Sequence, residues 1–245
     1  MEIELTGAQR LKFTGKKLKM RKHYLIIILL FISPCIFAQG IPDTLTRFFQ
    51  IEKLAGNKYM DIAYKYLGLY YFEEWTNGKI LLSSGEEIEN ISLHYNGYTD
   101  QLLWLKDNVI QIIIDKKSLS GFSLFNAGKE YKFRKYRILS SGDTVNNFCQ
   151  ELYKGKVNLL VVRHNRLDCE SIHNYIMYYV YVPSPAYFIY KNGKNINLKK
   201  MRLSALYKAF PERKEILKQK AKEKHVRVKS EEDFVKAVQA LEEFF

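Results

Sequence analysis

Four side chains that can bind zinc lie within one stretch of ten residues. They are His164, Asp168, Cys169 and His173. Imidazole, carboxylate and thiolate groups are all zinc ligands, but this spacing matches no metal-binding signature. Four ligands so close in sequence need a tight loop, and the polar stretch 165–174 is predicted to be one, exposed at the surface. These residues are weak candidates for a metal site, and the sequence implies no bound cofactor.

A second chemistry is available to Cys149 and Cys169, the two cysteines that follow the first forty residues. In an oxidising compartment they can form a disulfide that closes a loop of about 20 residues, which stabilises a fold by about 3 kcal/mol in the chain-entropy treatment. The alternative is two buried thiols that pack as small hydrophobic groups. The sequence leaves both readings open.

Positive charge is concentrated in one C-terminal segment. The chain has a net charge of +13, and residues 194–229 hold thirteen Lys and Arg against three Glu, a local charge of +10. Such a segment can contact an anionic membrane or glycan, since each cation adds about 1 kcal/mol near an anionic surface. A solvated helical face is the alternative, because the cations are spread around the helices. The candidate anion-binding residues are Lys199, Lys200, Arg202, Lys208, Arg213, Lys214 and Lys218.

The first forty residues have the pattern of a secretory signal. Basic residues over 16–22 precede an apolar run over 24–37, which is shorter than the about 20 residues that span a membrane. Cleavage is expected near Ala38, and the signal proper begins more naturally at Met20 than at Met1, so residues 1–19 form an upstream extension. Lipidation of Cys35 is an alternative. Export to the periplasm or outer membrane argues against nucleic acid as a partner.

Sequence motifs of known catalytic machinery are missing. The chain contains no G-x-S-x-G nucleophile elbow, no H-E-x-x-H zinc motif and no glycine-rich phosphate loop, and its carboxylates are scattered. We therefore expect a non-catalytic envelope protein that acts as a binding or interaction module for a partner protein or ligand that the sequence does not identify. An envelope hydrolase with a site built from loops is the alternative.

Tyrosines are dense between residues 175 and 190. Alternate tyrosines on a strand can form a binding face, since tyrosine is enriched at interfaces. They can equally form a half-buried sheet surface. The tyrosines concerned are Tyr175, Tyr178, Tyr179, Tyr181, Tyr187 and Tyr190.

Short apolar and aromatic runs recur about every ten residues from residue 69 onward, with turn residues between them. The expected fold class is α+β and predominantly β, with antiparallel sheets in a roll, sandwich or partly open barrel over residues 69–200. Asn192-Gly193 predicts a hairpin turn. Two or three helices should follow over 201–245, with Ser230 capping the last one, and pack on the β domain. Residues 39–68 form an N-terminal segment in which a short helix is expected.

Four short motifs occur together in the part of the chain that follows the signal. They are Gly68-Leu69-Tyr70, Trp75-Thr76-Asn77-Gly78, Leu206-Tyr207-Lys208-Ala209-Phe210-Pro211 and Ser230-Glu231-Glu232-Asp233. Over about residues 66–245 the chain resembles a set of uncharacterised exported proteins of Bacteroidetes. The resemblance implies a β-rich envelope protein with C-terminal helices, and it implies no activity.

Overall fold

The structure is a computed structural model that describes residues 53–59, 65–140, 143–173 and 176–245. The signal predicted over 1–38 lies outside these ranges, and so does most of the 39–68 segment in which a short helix is expected. Within the described ranges the chain forms two β-sheets followed by three α-helices.

Fourteen strands are distributed over a large and a small sheet in the described residues. The strands are β1 (Gly56–Lys58), β2 (Lys65–Leu67), β3 (Thr76–Leu82), β4 (Glu87–Asn96), β5 (Gln101–Lys106), β6 (Ile110–Ile114), β7 (Leu119–Asn126), β8 (Lys129–Ser140), β9 (Asp143–Lys154), β10 (Asn158–Val162), β11 (Asn165–His173), β12 (Ile176–Pro183), β13 (Ala186–Lys191) and β14 (Lys194–Leu198). The large sheet has the order β1-β6-β5-β4-β3-β7-β8-β9-β10-β13-β14, and the small sheet has the order β11-β12-β2.

The predicted fold class is confirmed, because the described chain is mostly antiparallel sheet with helices at its C-terminal end. The large sheet does not close into a barrel. The hairpin predicted at Asn192-Gly193 joins β13 to β14, and both turn residues have the positive φ that this turn requires, 50° and 78°. One pairing departs from the antiparallel expectation, since β2 runs parallel to β12.

The exposed loop predicted over 165–174 is wrong, because residues Asn165–His173 form strand β11. This strand pairs antiparallel with β12 from Asn165 to His173, with a bulge between Leu167 and Cys169. The sequence of β11 lacks the alternation of apolar and polar residues that predicts a half-buried strand, because most of its side chains are exposed. The exposed residues are Arg166, Asp168, Cys169 and Glu170. A neighbouring strand, rather than a hydrophobic face, stabilises the extended backbone here.

The core of the large sheet is aromatic around strands β4, β7, β8 and β9. The rings of Phe122 and Phe133 stack with centroids 4.6 Å apart, and Phe148 meets Phe122 edge-on at 5.1 Å. Tyr95 closes the cluster and is 1% exposed. Its hydroxyl donates to Asp100 Oδ1 at 2.7 Å, which satisfies the one polar atom that the ring brings into the core.

Strand β10 is a continuous apolar run that is buried on both faces of the large sheet. Leu159 packs into the cluster formed with the helices, whereas Leu160 and Val162 pack with Ile138 and Phe188 in a separate cluster. Side chains alternate across a strand, so these neighbours must face opposite sides of the sheet. Helices therefore cover one face of the sheet at this end.

The helices are α1 (Leu203–Ala209), α2 (Lys214–Glu223) and α3 (Glu231–Ala240), and a 3-10 turn over Pro211–Arg213 leads into α2. The predicted cap of the last helix is confirmed as a full capping box. Ser230 Oγ accepts from the Asp233 backbone N–H at 3.1 Å, and the Asp233 carboxylate accepts from the Ser230 backbone N–H at 3.2 Å. Phe234 and Val238 on the same helix are fully buried against the sheet cluster.

A partly buried ion pair connects the large sheet to α3. Arg163, directly after β10, donates from Nη1 and Nη2 to the two carboxylate oxygens of Glu231 at 2.9 and 2.6 Å. Its Nε donates to Gln150 Oε1 on β9 at 2.6 Å, and its guanidinium lies 5.6 Å from the centroid of the Tyr71 ring. The Tyr187 hydroxyl, on β13, donates to Glu231 Oε2 at 2.9 Å. Side chains from β9, from β13 and from the segment after β10 therefore meet at the first turn of α3.

We expect Glu231→Gln to destabilise the protein by about 2 kcal/mol at pH 7, because it leaves the Arg163 charge without a counter-ion in a partly desolvated position. Urea unfolding measures the change. Glu232→Gln is the matched control: it removes the next carboxylate in the same first turn of α3, but this side chain is 77% exposed and lies 3.9 Å from Lys129 Nζ. The control should change stability by less than about 0.5 kcal/mol. Equal effects of the two substitutions would contradict a structural role for the ion pair.

The same ion pair should make stability depend on pH. Burial alone raises the pKa of Glu231, but the hydrogen bonds and charge of Arg163, together with the Tyr187 hydroxyl, bring the pKa below its usual value of 4.5. The unfolded chain therefore binds the proton more readily than the folded one, and the contribution is complete above pH 4.5. We expect the stability difference between the wild type and Glu231→Gln to shrink as pH falls through the folded-state pKa, measured by urea unfolding at successive pH values.

Candidate functional site

A concave surface lies between the end of β14 and helix α1. The cavity has a volume of about 440 Å³. Four of its lining residues are cations that were predicted from the sequence as anion-binding residues. The lining residues are Ile196, Asn197, Lys199, Lys200, Arg202, Ser204, Ala205, Lys208 and Ala209. We call this surface the cationic groove.

Two buried leucines determine how the groove is built. Leu198 ends β14 at 3% exposure and Leu206 lies on α1 at 0% exposure, and both pack into the cluster between sheet and helices. The chain between these anchors turns outward and is stabilised by its own backbone, since the Arg202 N–H donates to the Lys200 carbonyl at 3.0 Å. Lys199 and Lys200 are therefore exposed directly beside the sheet edge.

The charge in the groove is all of one sign. No carboxylate lines it, and among the described residues no ion pair involves any of its four cations. The other predicted cations, Arg213, Lys214 and Lys218, do not line the groove, and Lys218 is paired with Glu215 at 3.0 Å. Of the seven predicted anion-binding residues, four therefore line the cationic groove and three lie outside it. Like charges held together in one concavity attract anions more strongly than the same charges spread over a surface.

The zinc-binding candidates are not brought together. Asp168, Cys169 and His173 lie along the extended strand β11 and His164 lies just before it, so the two histidines are roughly 30 Å apart along the chain at the rise of a strand. Asp168 instead pairs with Arg166 at 3.0 Å. In the described part of the chain no group of three or more His, Cys, Asp and Glu side chains could hold a metal ion.

The two cysteines are unpaired, so the disulfide reading is not supported by the structure. Cys149 is buried in β9 of the large sheet, whereas Cys169 is exposed on β11 of the small sheet. Burial raises the pKa of the Cys149 thiol to about 12. This residue follows the alternative, a thiol that packs as a small hydrophobic group, and Cys169 is exposed rather than buried.

A second cavity, of about 300 Å³, lies where the small sheet meets the large one. Asn165 joins the two, since its side-chain N–H groups donate to the carbonyls of Gly68 and Leu69 at 2.9 and 3.1 Å. Its backbone N–H donates to the Gly97 carbonyl at 3.1 Å. The lining residues are Gly68, Tyr70, Tyr71, Glu73, Arg163, His164, Asn165, Pro183 and Pro185. We call this space the junction cavity.

The residues of the predicted tyrosine face have separate roles. Tyr179 and Tyr181 lie on one face of β12 beside Tyr66 of β2, with centroids 5.7 and 6.5 Å from the Tyr66 ring. Tyr187 donates to Glu231, and Tyr190 packs edge-on against Tyr136 at 5.1 Å. Tyr178 points to the opposite face of β12 because side chains alternate, and Tyr175 lies outside the described residues.

Several positioning residues were not anticipated from the sequence. Asn165 and Gly97 belong to no recognisable sequence motif. The one local signal is that each comes shortly after an apolar run of strand length. Tyr66 and Tyr98 are 32 residues apart in sequence, yet both contact Tyr181. A single sequence does not reveal such contacts, because they depend on which strands pair.

Comparison of the chain with family models, with curated proteins and with solved structures returned no match. Of the helices in the described ranges, none has the length and apolar character needed to cross a membrane.

A stacked histidine supports one wall of the junction cavity. The His94 ring lies 3.7 Å from the Tyr70 ring and 4.7 Å from the Trp75 ring, measured between centroids. Its Nε2 lies 2.7 Å from the Phe72 carbonyl oxygen, which only accepts, so Nε2 carries the proton. Burial lowers the pKa of His94 below its usual value of 6.5, and the Phe72 carbonyl and the charge of Glu73 oppose this only in part.

We expect the unfolding free energy to fall between pH 7 and pH 5 through His94. The unfolded ring takes up a proton below its ordinary pKa of 6.5, whereas the buried ring resists it, so stability is lost as pH falls. His94→Gln keeps a side-chain donor and should flatten this part of the pH profile in urea unfolding. His225→Gln removes an exposed histidine and should keep the wild-type slope. A wild-type slope in His94→Gln would contradict the assignment.

Proposed function

We propose that the protein is a non-catalytic binding module of the bacterial cell envelope and that the cationic groove holds an anionic ligand. The observation that carries this proposal is the convergence of Lys199, Lys200, Arg202 and Lys208 on one cavity that has no carboxylate in its lining. Like charges gathered in one concavity raise the local positive potential and so favour a bound anion.

The ligand class follows from the shape and chemistry of the groove. Lysine ammonium groups are point charges and arginine is a planar fork, and both suit phosphate or carboxylate oxygens. A concave site of about 440 Å³ has room for a projecting group, such as a lipid headgroup or an acidic sugar. Phosphate-bearing lipid and carboxylate-bearing glycan are the two sources of this shared chemistry.

Two expectations from the sequence support the envelope assignment. The secretory signal pattern over 1–38 is typical of an exported protein, and cleavage near Ala38 would release the described part of the chain into the periplasm or toward the outer membrane. The resemblance to exported proteins of Bacteroidetes points to the same compartment. An anionic partner in that compartment is a lipid or a glycan rather than nucleic acid.

The test compares two triple variants of equal charge in the mature protein. Lys199→Gln/Lys200→Gln/Arg202→Gln removes three cations from the groove, and Arg213→Gln/Lys214→Gln/Lys218→Gln removes three exposed cations outside it. The probes are vesicles containing phosphatidylglycerol, vesicles of phosphatidylcholine alone, and soluble polygalacturonate. Vesicle co-sedimentation and calorimetry at low and high salt measure binding.

We expect the wild type to bind at least one of the anionic probes, with phosphatidylglycerol indicating a lipid and polygalacturonate indicating a glycan. The groove variant should bind at least about tenfold more weakly, since three charges of about 1 kcal/mol each are lost, and the outer variant should bind no more than about twofold more weakly. Added salt should weaken binding. Equal losses in the two variants, or no binding to either anionic probe, would reject the groove as the binding site.

A further inference from the structure

Five aromatic rings form an unbroken series along one face of the small sheet and its junction with the large sheet. In order they are Tyr179, Tyr66, Tyr181, Tyr98 and His164, and successive ring centroids are 5.7, 6.5, 4.9 and 6.4 Å apart. These separations lie within the range of aromatic contact. We call this series the aromatic strip.

The rings of the strip are accessible. Tyr98 is 43% exposed, His164 is exposed, and Tyr66, Tyr179 and Tyr181 are half-buried. In the described part of the small sheet, Asn165 is the only residue that is fully buried, so the strip is not the inner face of a core. Half-exposed rings in a row offer a continuous apolar surface to a ligand.

The backbone beneath the strip is held rigidly. The Asn96 side-chain oxygen accepts from the backbone N–H groups of Tyr98 and Thr99 at 2.9 and 3.0 Å, which fixes the turn that carries Tyr98. A Cβ at Gly97 would lie 2.5 Å from the Arg163 carbonyl oxygen, and one at Gly68 would lie 2.3 Å from the Tyr181 carbonyl oxygen. These close approaches leave the backbone that carries the strip little room to move, and a backbone that is already ordered loses little entropy on binding.

His164 belongs to both the strip and the junction cavity, so the two surfaces are continuous. The cavity adds the rings of Tyr70 and Tyr71 and two prolines to a few polar groups, among them the Glu73 carboxylate. Aromatic walls with a small number of polar groups are typical of small-ligand sites. Because the Arg163 charge is taken by Glu231, the cavity has no free cation among its lining residues.

From this juxtaposition we propose that the aromatic strip and the junction cavity together bind a neutral carbohydrate chain. A sugar ring has an apolar face of C–H groups, which stacks on the negative face of an aromatic ring, and hydroxyl groups at its edge. The strip supplies aromatic rings in series, and the cavity at its end supplies the Glu73 carboxylate to accept from hydroxyl groups. This site is separate from the cationic groove and takes a different ligand chemistry.

The charges and ring contacts favour this occupant over others. The carboxylate of Glu73, with no compensating free cation in the cavity lining, disfavours an anionic ligand. Proline-rich peptides dock into aromatic-lined grooves, whereas the rings of this strip contact one another in series, with centroids 4.9–6.5 Å apart. A continuous surface suits sugar rings lying side by side.

The test measures binding of cellohexaose, xylohexaose, maltohexaose and a proline-rich peptide to the mature protein by calorimetry. We expect millimolar or tighter binding of at least one hexasaccharide and none of the peptide. Tyr181→Ala and Tyr98→Ala should each weaken sugar binding about tenfold, because each removes one stacking platform. Tyr178→Ala is the matched control, since it removes a tyrosine of the same strand from the opposite face, and it should leave binding unchanged.

Failure of all three hexasaccharides to bind overturns the proposal, and so does binding of the peptide alone or an equal loss in Tyr178→Ala. Circular dichroism and urea unfolding of each variant confirm that the fold is retained, and Tyr98→Ala, which lies in a turn, serves if Tyr181→Ala does not fold. The groove variant Lys199→Gln/Lys200→Gln/Arg202→Gln should keep sugar binding. Loss of sugar binding in that variant would also overturn the separation of the two sites.

Discussion

The bidentate ion pair between Arg163 and Glu231 fixes where the first turn of helix α3 meets the large sheet. Both side chains are mostly withdrawn from water, at 16% and 28% exposure, so each needs the other to offset the cost of leaving solvent. Gln150 and Tyr187 complete the hydrogen bonds of the pair, and this ties β9 and β13 to the first turn of the helix. The helix is thereby held over the apolar face of β10, where Leu159 is fully buried.

The same short stretch of chain organises the junction with the small sheet. Arg163 directs its side chain to α3 while its carbonyl lies against Gly97, and two residues later Asn165 bonds to the carbonyls of Gly68 and Leu69. One exit from β10 therefore positions both the helical layer and the aromatic strip. Among the residues of the small sheet whose burial the structure describes, Asn165 alone is buried. Polar contacts at the base of this sheet therefore help to hold it against the large one.

The two proposed sites differ in the physical basis of recognition. The cationic groove acts through charge, so its binding should weaken with salt, whereas the strip and junction cavity act through contact area and ordered rings. The sequence indicated part of each. The excess of cations over 194–229 was evident from composition, but only the anchors Leu198 and Leu206 select which of them converge. Alternation in β12 placed Tyr179 and Tyr181 on one face, whereas Tyr66 and Tyr98 join them through strand pairing and a turn.

The sequence by itself determined the local features of this protein. Short apolar and aromatic runs indicated most of the strands of the large sheet, Asn192-Gly193 indicated a hairpin, and Ser230 with the acidic residues after it indicated the start of α3, because each signal depends on residues a few positions apart. Tertiary structure alone decided that polar residues 165–173 form a strand, that Cys149 and Cys169 lie in different sheets, and that Arg163 meets Glu231 across 68 residues. The physical reason is that contacts between distant segments depend on every alternative partner in the folded chain. A local sequence pattern contains no information about those partners.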